Sequence, residues 1–553
     1  MHSQSIATTT AENLRKGPFL DVLRDLLGEG RQDDVISLVT KLLSRNEELE
    51  KRLAKMLEKA HRNEGVSSGQ LKLLLEELLE AELPQPADVT EADQRLGKLV
   101  VPNSPPKETE QPRRQPSLRR PISKKLPRVE NPLPVPPEER ACPVCGSERT
   151  CMGHDVTEVL ELIPAQIIVR VDRREKLACG HCEGELVRGP VGDKIVAGGR
   201  LGTTLVAEML VDKYRDGLTL YRQKQRFERL GLNLPSSTLG DQITWATDLL
   251  RPLWRCAFVQ VLAAEVMHLD GTGVPVLDRE APRGIRLGSL WGYVGGEAAL
   301  YLYASTGKSR GQREGEMGPG DLLELRYGLT VADASSIFDQ GFNRDGIIEC
   351  GCNMHGRRYF ANAFEAGDKR CSLPLGAYKK LYEVEDAIAE LTVDEKTIFR
   401  QSRSKPIYDE LIVWAQAHKP HEPPSSGLGK AIQYLLNHRV ALMRFLEDGR
   451  IPIDNGVVER LHVRTALTRK NFLFCGSDAG AERAAIAYTV LGCCQLAGVN
   501  PSAYLAAILP ILAGKIRLRD LPALMPSHWK IDHPEHRLES LNPHPTPALH
   551  QVP

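Results

Sequence analysis

Two apolar runs in this chain each close on an aspartate, and their order restricts the fold more than any other feature. Ala263-Ala-Glu-Val-Met-His-Leu-Asp270 reads as a buried strand ending in an exposed carboxylate, and Gly328-Leu-Thr-Val-Ala-Asp333 repeats the arrangement. Between them, 290–294 and Ala298–Ala304 read as strands separated by short glycine-containing turns, which predicts a three-strand meander. A helix around 320–325 leads into the second aspartate-terminated run. A further strand at 347–352 precedes a helix carrying Arg357, Arg358 and Phe360.

The resulting order is βββαβαβ, with Asp270 on strand one and Asp333 on strand four. It is the order of an RNase H-like α/β core, in which strands one and four are neighbours, so the two carboxylates are expected to converge. A third acid should then arrive on a helix packed against the sheet, and Glu459 fits. It lies in Ile451-Pro-Ile-Asp-Asn-Gly-Val-Val-Glu-Arg460, where Asp454 and Glu459 flank an expected helix start. Arg460, Arg464, Arg469 and Lys470 follow at spacings that keep several on one helical face. A carboxylate among arginines suits a place where a metal ion meets a phosphate backbone; the plainer reading is an amphipathic helix with solvated charges. Residues 361–450 are mostly helical by periodicity and are expected as an insertion in a catalytic domain spanning 261–500, followed by a C-terminal helix and tail at 501–553.

At 553 residues the chain is too long for one ordinary core, and the class expected is multidomain α+β. No apolar run reaches the roughly 18 residues that a bilayer span needs, and residues 1–15 carry no signal-peptide core, so the expected compartment is the cytoplasm. Formal net charge is zero, so any nucleic-acid contact must come from local basic patches. Within 1–84, Val35, Val39, Leu42, Asn46, Leu49, Leu53 and Met56 alternate spacings of four and three. This heptad seam fits a parallel two-stranded coil or an intramolecular helical hairpin. A capping box at 67–70 precedes a helix at 71–79. Residues 85–140 are proline-rich and basic, and read as a linker that either tracks phosphates or is simply solvated.

Cys142-Pro-Val-Cys145 and Cys179-Gly-His-Cys182 form two knuckles within 141–192, and their four thiolates suit one structural Zn²⁺. Apolar alternation between them (Ile163, Ile167, Val169, Val171) predicts paired strands, while Cys151, His154 and His181 are substitutes or bystanders. Residues 193–260 are helical; Gly231 opens a turn and an expected N-cap follows at 236–238, which fits a helix-turn-helix or plain helical packing. Cys352 and His355 form half a metal site with no second half evident in the sequence, although Cys350 is close; a buried thiol and a satisfied histidine is the plainer reading. Cys493 and Cys494 sit in an apolar helix and read as core.

The sequence resembles the IS66-family transposases over nearly its whole length. The residues that carry this are Ile453-Asp-Asn455 with Glu459-Arg460, Arg469-Lys-Asn-Phe-Leu-Phe474, Gly476-Ser-Asp-Ala-Gly480, Tyr221-Arg-Gln223, Asp333, and Cys352-x-x-His355-x-Arg-Arg-x-Phe360. The resemblance implies a DDE transposase whose catalytic acids are Asp270, Asp333 and Glu459. Three such carboxylates would hold two Mg²⁺ (or Mn²⁺) ions, with Arg460, Arg464, Arg469, Lys470, Arg357 and Arg358 on DNA phosphates. Expected partners are double-stranded DNA (the terminal inverted repeats and the target), a second copy or larger homo-oligomer, and accessory proteins of the same element, in a nucleoid-associated setting. The pattern is departed from at Gly271-Thr272, where Glu-Thr is expected, and at Asn353-Met354, where the family run carries Trp. Competing readings are a nuclease that cuts without joining, a zinc-containing DNA-binding regulator, and a domesticated inactive transposase.

Overall fold

The computed structural model describes residues 87–100, 140, 143–147, 166–177, 187–188, 195–196, 199–308 and 315–538. The heptad seam, the 71–79 helix, most of the linker, and Cys142, Cys179 and Cys182 lie outside them. The chain divides into two compact units, Met1–Gln85 with Glu365–Lys369, and Pro86–Phe364 with Arg370–Pro553.

The linker reading gives way at one end. Residues Ala87–Val100 form a helix, α1, whose Val89, Ala92 and Leu96 are buried. An apolar stripe at this spacing is enough to dock it, and Trp414 Nε1 donates to Asp93 Oδ1 at 2.6 Å. Of the paired strands expected over 160–177, Lys176–Leu177 pairs with Val187–Arg188, while among the described residues 166–175 form no strand and Val169 and Val171 are exposed.

Four helices follow, beginning with Thr203–Tyr214 (α2) and ending with Arg251–Ala263. The third, Ser236–Leu249, starts after Pro235 with no side-chain cap, so the serines expected to cap it lie inside its first turn. Buried residues of α2, Ser236–Leu249 and Arg251–Ala263 share one hydrophobic cluster with the sheet and with the helices beyond residue 478. The core therefore runs continuously across positions 260 and 500.

The sheet has five strands: β1 (Val266–Leu277), β2 (Ile285–Gly295), β3 (Ala298–Ala304), β4 (Gly328–Ala332) and β5 (Ile347–Gly351), in the order β3-β2-β1-β4-β5. Pairing is antiparallel from β1 to β2 and from β2 to β3, and parallel from β1 to β4 and from β4 to β5. Both faces are covered. Met267 and Leu269 point to a cluster with Trp291, Tyr293, Leu322 and Phe338, while Val274 and Val276 point to the opposite side. Strand alternation puts Asp270 on that opposite side too. It is covered by Gly456–Phe472 and by Asp478–Ala497, which contribute Val458, Leu461 and Val490.

Residues 370–450 are mostly helical, and one arginine makes them more than an appendage. Arg400, 3% exposed, donates to the carbonyls of Phe445 (2.8 Å), Asp448 (3.1 Å) and Ile451 (2.9 Å), and pairs with Glu385 at 2.6 Å. A buried guanidinium holds its geometry only when all its donors are matched, so it fixes the turn that feeds residues 451–455.

Candidate active site

Asp270 and Asp333 meet because of strand register. β1 and β4 pair with each other as far as Leu269 and Ala332, and the aspartates come next; Asp333 ends its strand as expected, but β1 runs on to Leu277 against β2, so Asp270 lies within a strand and does not end one. Adjacent parallel strands stand about 4.8 Å apart, so consecutive carboxylates on one face repel unless a cation lies between them. Lys308 supplies it: Nζ lies 3.1 Å from Asp270 Oδ1 and 3.1 Å from Asp333 Oδ2. Burial opposes the ammonium's charge, but the two carboxylates outweigh it and hold the Lys308 pKa above the usual lysine value.

The register itself is clamped from below. Arg326, 2% exposed, donates to the carbonyls of Leu262 (2.7 Å), Ala264 (2.6 Å), Glu265 (3.1 Å) and Leu329 (2.8 Å), and to Thr330 Oγ1 (3.3 Å). These groups begin β1 and β4, so one side chain sets where both strands start.

Glu459 is carried by helix α4 (Gly456–Phe472), following α3 (Asn353–Glu365) along the chain. Asp454, just ahead of the N-cap Asn455, accepts from the Gly456 amide on Oδ1 at 2.8 Å and from the Tyr382 hydroxyl on Oδ2 at 2.8 Å, which ties down the start of the helix. Asn455 is fully buried; its Nδ2 donates to Leu269 O at 2.7 Å and its Oδ1 accepts from His268 Nδ1 at 3.0 Å. Two turns on, His462 Nε2 donates to the Asp270 carbonyl at 3.1 Å and stands 3.8 Å from its carboxylate. Asn455, Glu459 and His462 share one helical face, so Glu459 is held between two anchors on residues 268–270. Burial pushes the pKa values of both His268 and His462 below the usual histidine value.

The close approach requires glycine at two positions of the sheet. A Cβ on Gly292, the cross-strand partner of Asp270, would sit 2.8 Å from the His462 ring. One on Gly271 would sit 2.3 Å from Trp291, which is why glutamate cannot follow the first aspartate here. Asn353 is likewise accounted for: it donates to Leu442 O and Ile453 O and accepts from the Tyr408 hydroxyl.

The structure thus brings Asp270 and Asp333 onto one ammonium. The side-chain partners of Glu459 are His355 (3.6 Å) and Arg358 (3.4 Å). Cys352 joins them: its Sγ, a His355 ring nitrogen and a Glu459 oxygen all lie within 4.8 Å of one another. Burial pushes the Cys352 thiol up to about 12, although the Asn455 amide donates to its sulfur at 3.3 Å.

The basic residues divide. Arg357, Arg358, Arg460, Arg464 and Lys470 are exposed, with Val463 and Leu467 beside the last three on the outer face of α4; Arg464 Nε reaches Gln495 at 3.0 Å. Arg469 instead turns inward and donates to Thr272 Oγ1 (3.2 Å) and to the Gly273 carbonyl. The residues that the sequence reading missed are Lys308, Arg326, His268 and His462. Their partners lie across the sheet or on another element, and no local motif marks them.

The chain is a mixed α/β protein in which one ammonium joins two carboxylates from adjacent parallel strands and a covering helix carries a further acid. Residues 198–483 match the transposase IS66 family, and residues 139–183 match the zinc-finger binding domain of transposase IS66. The chain belongs to the IS66 transposase family. It is 32% identical over 491 residues to the uncharacterized protein y4hP of Sinorhizobium fredii (strain NBRC 101917 / NGR234), covering 83% of this chain and 84% of that one. It is 29% identical over 428 residues to the uncharacterized protein y4jD of the same organism, covering 74% and 82%. No helix among the described residues is long and apolar enough to cross a membrane.

Proposed function

We propose that the chain is a DDE transposase that binds the terminal inverted repeats of an insertion sequence, cuts a strand there and joins the freed 3′ end to target DNA. The observation that carries this reading is the Asp270–Asp333 pair, next in register on neighbouring parallel strands and bridged by one ammonium. The order β3-β2-β1-β4-β5, antiparallel on one side of β1 and parallel on the other, supports an RNase H-like core.

Asp270, Asp333 and Glu459 are the catalytic acids. Their oxygen donors suit Mg²⁺ or Mn²⁺, and Asp333 Oδ1 and Glu459 Oε1, both buried without a hydrogen-bond partner among the described residues, fit that use. Two such ions, when bound, supply an activated oxygen nucleophile and stabilise the leaving oxygen. The protein's own part is positional: Asn455 and His462 hold the helix that carries Glu459, and Lys308 balances the paired carboxylates. Arg460, Arg464 and Lys470, with Arg357 and Arg358, face the phosphates. Displacement is direct and in line, with no protein-linked intermediate.

Cys142, Cys145, Cys179 and Cys182 hold one structural Zn²⁺, a reading supported by the zinc-finger match. End recognition falls to the first 260 residues, with Leu220–Arg229 and Ser236–Leu249 as the helix-turn-helix candidate. The seam at 35–56 serves assembly of a dimer or larger species in the nucleoid, to which accessory proteins of the element would add.

The test is incubation of purified protein and Mg²⁺ with a duplex carrying the element's ends, with nicks mapped to the nucleotide. Cuts at the repeat boundary, lost in Asp270→Ala while end binding persists, are expected. Binding without any cut would mark a regulator, and cutting without joining of pre-cut ends a nuclease.

A further inference from the structure

We infer that Cys352, His355 and Glu459 form a second zinc-class site, separate from the four-cysteine module. Cys352 and His355 are three apart at the start of α3, which puts them on one face, and Glu459 comes from the first turn of α4. Two donors each about 2.0–2.1 Å from a tetrahedral ion stand about 3.4 Å apart. His355 Nδ1 and Glu459 Oε1 are 3.6 Å apart. Both atoms are inaccessible to solvent and neither has a hydrogen-bond partner among the described residues. Unpaired buried donors and acceptors are costly, and a shared cation satisfies both at once.

The donor set selects the metal. Thiolate, imidazole and carboxylate together favour Zn²⁺ over Mg²⁺, which prefers oxygen alone. A thiolate and a carboxylate also balance the charge of a divalent ion. The Asn455 amide, at the N-terminus of α4, donates to the sulfur, as a thiolate requires. Three protein ligands leave a fourth position open, so this site is of the kind that takes a water or a phosphate oxygen rather than the closed structural kind. Because Glu459 is shared with the proposed catalytic acids, Zn²⁺ here would draw its carboxylate away from them and inhibit Mg²⁺-dependent cleavage.

The test counts zinc and does not depend on strand cleavage, so its failure leaves the transposase reading standing. The full chain is loaded with Zn²⁺, freed of excess, and assayed for metal released on thiol blocking. We expect about two equivalents in the wild type and about one in Cys352→Ser and in His355→Gln. Cys142→Ser should also lose one, and its Co²⁺ form should keep a thiolate charge-transfer band that vanishes in the Cys142→Ser/Cys352→Ser double variant. His355, 20% exposed, keeps the test readable if the buried Cys352 variant does not fold. A single equivalent in the wild type, abolished by Cys142→Ser alone, would overturn the proposal. So would two equivalents retained in His355→Gln.

Discussion

Replacing Lys308 with methionine removes the ammonium that lies between Asp270 and Asp333 while keeping the volume of its stem. Exposed ion pairs contribute up to about 1 kcal/mol, and breaking a fully buried one costs about 3–5 kcal/mol. The aspartate side chains here are 14% and 16% exposed, but the lysine is 35% exposed and partly screened. The expected loss is therefore discounted to about 2 kcal/mol. At about 2 °C per kcal/mol for a domain of this size, melting should fall by about 4 °C. The lysine and a divalent cation compete for the same oxygens, so Mg²⁺ should raise the Tm of Lys308→Met more than that of the wild type. In the Asp333→Asn background the methionine should cost about 1 kcal/mol less, the coupling read from a double-mutant cycle. Differential scanning fluorimetry with and without Mg²⁺ measures all of this. An unchanged Tm, or an equal Mg²⁺ response in both proteins, would refute the reasoning.

Three further outcomes follow from the same geometry. Arg326→Met strips five hydrogen bonds from the roots of β1 and β4 and should cost about 3–5 kcal/mol in urea unfolding. Asn455→Ala, which loses the bonds to Leu269 and His268, should cost about 2 kcal/mol and lower the cleavage rate with end binding retained; an unaltered rate would mean that the anchor does not position Glu459. Stability should fall with acid: the buried His268 and His462 have folded pKa values depressed below the unfolded value of about 6.5. Their contribution is full above that value and is lost as pH drops below it, because the unfolded chain then binds protons that the folded one refuses. Urea midpoints at a series of pH values check this, and His462→Gln should flatten the curve.

Much of this site was legible because the signals were local. Asp270 and Asp333 were both read as strand-ending, exposed carboxylates; Asp333 does follow the end of its strand, whereas Asp270 lies within β1, which runs on to Leu277, and both side chains are largely buried. Glu459 was found from the expected helix start, where Asp454 also stands, but sequence could not separate the two roles. Only the bonds from Gly456 and Tyr382 show that Asp454 is engaged in holding the start of the helix. Arg469 and Arg464 look alike in sequence; Arg469 differs because it faces β1, and facing depends on how the helix lies on the sheet. Lys308 was invisible for the same reason, since nothing near it hints at carboxylates contributed by two other strands. Helix α1 was hidden by its setting, a short amphipathic segment in a proline-rich stretch whose partner lies over 300 positions away, at Trp414.

Whether Asp270, Asp333 and Glu459 serve one divalent-cation site is read from Mn²⁺ binding followed by electron paramagnetic resonance. If they do, Asp270→Asn, Asp333→Asn and Glu459→Gln each weaken Mn²⁺ binding by about tenfold or more, a loss of about 1.4 kcal/mol, while Cys352→Ser leaves it unchanged. Wild-type affinity in Glu459→Gln, with binding lost only in the aspartate variants, would contradict a shared site.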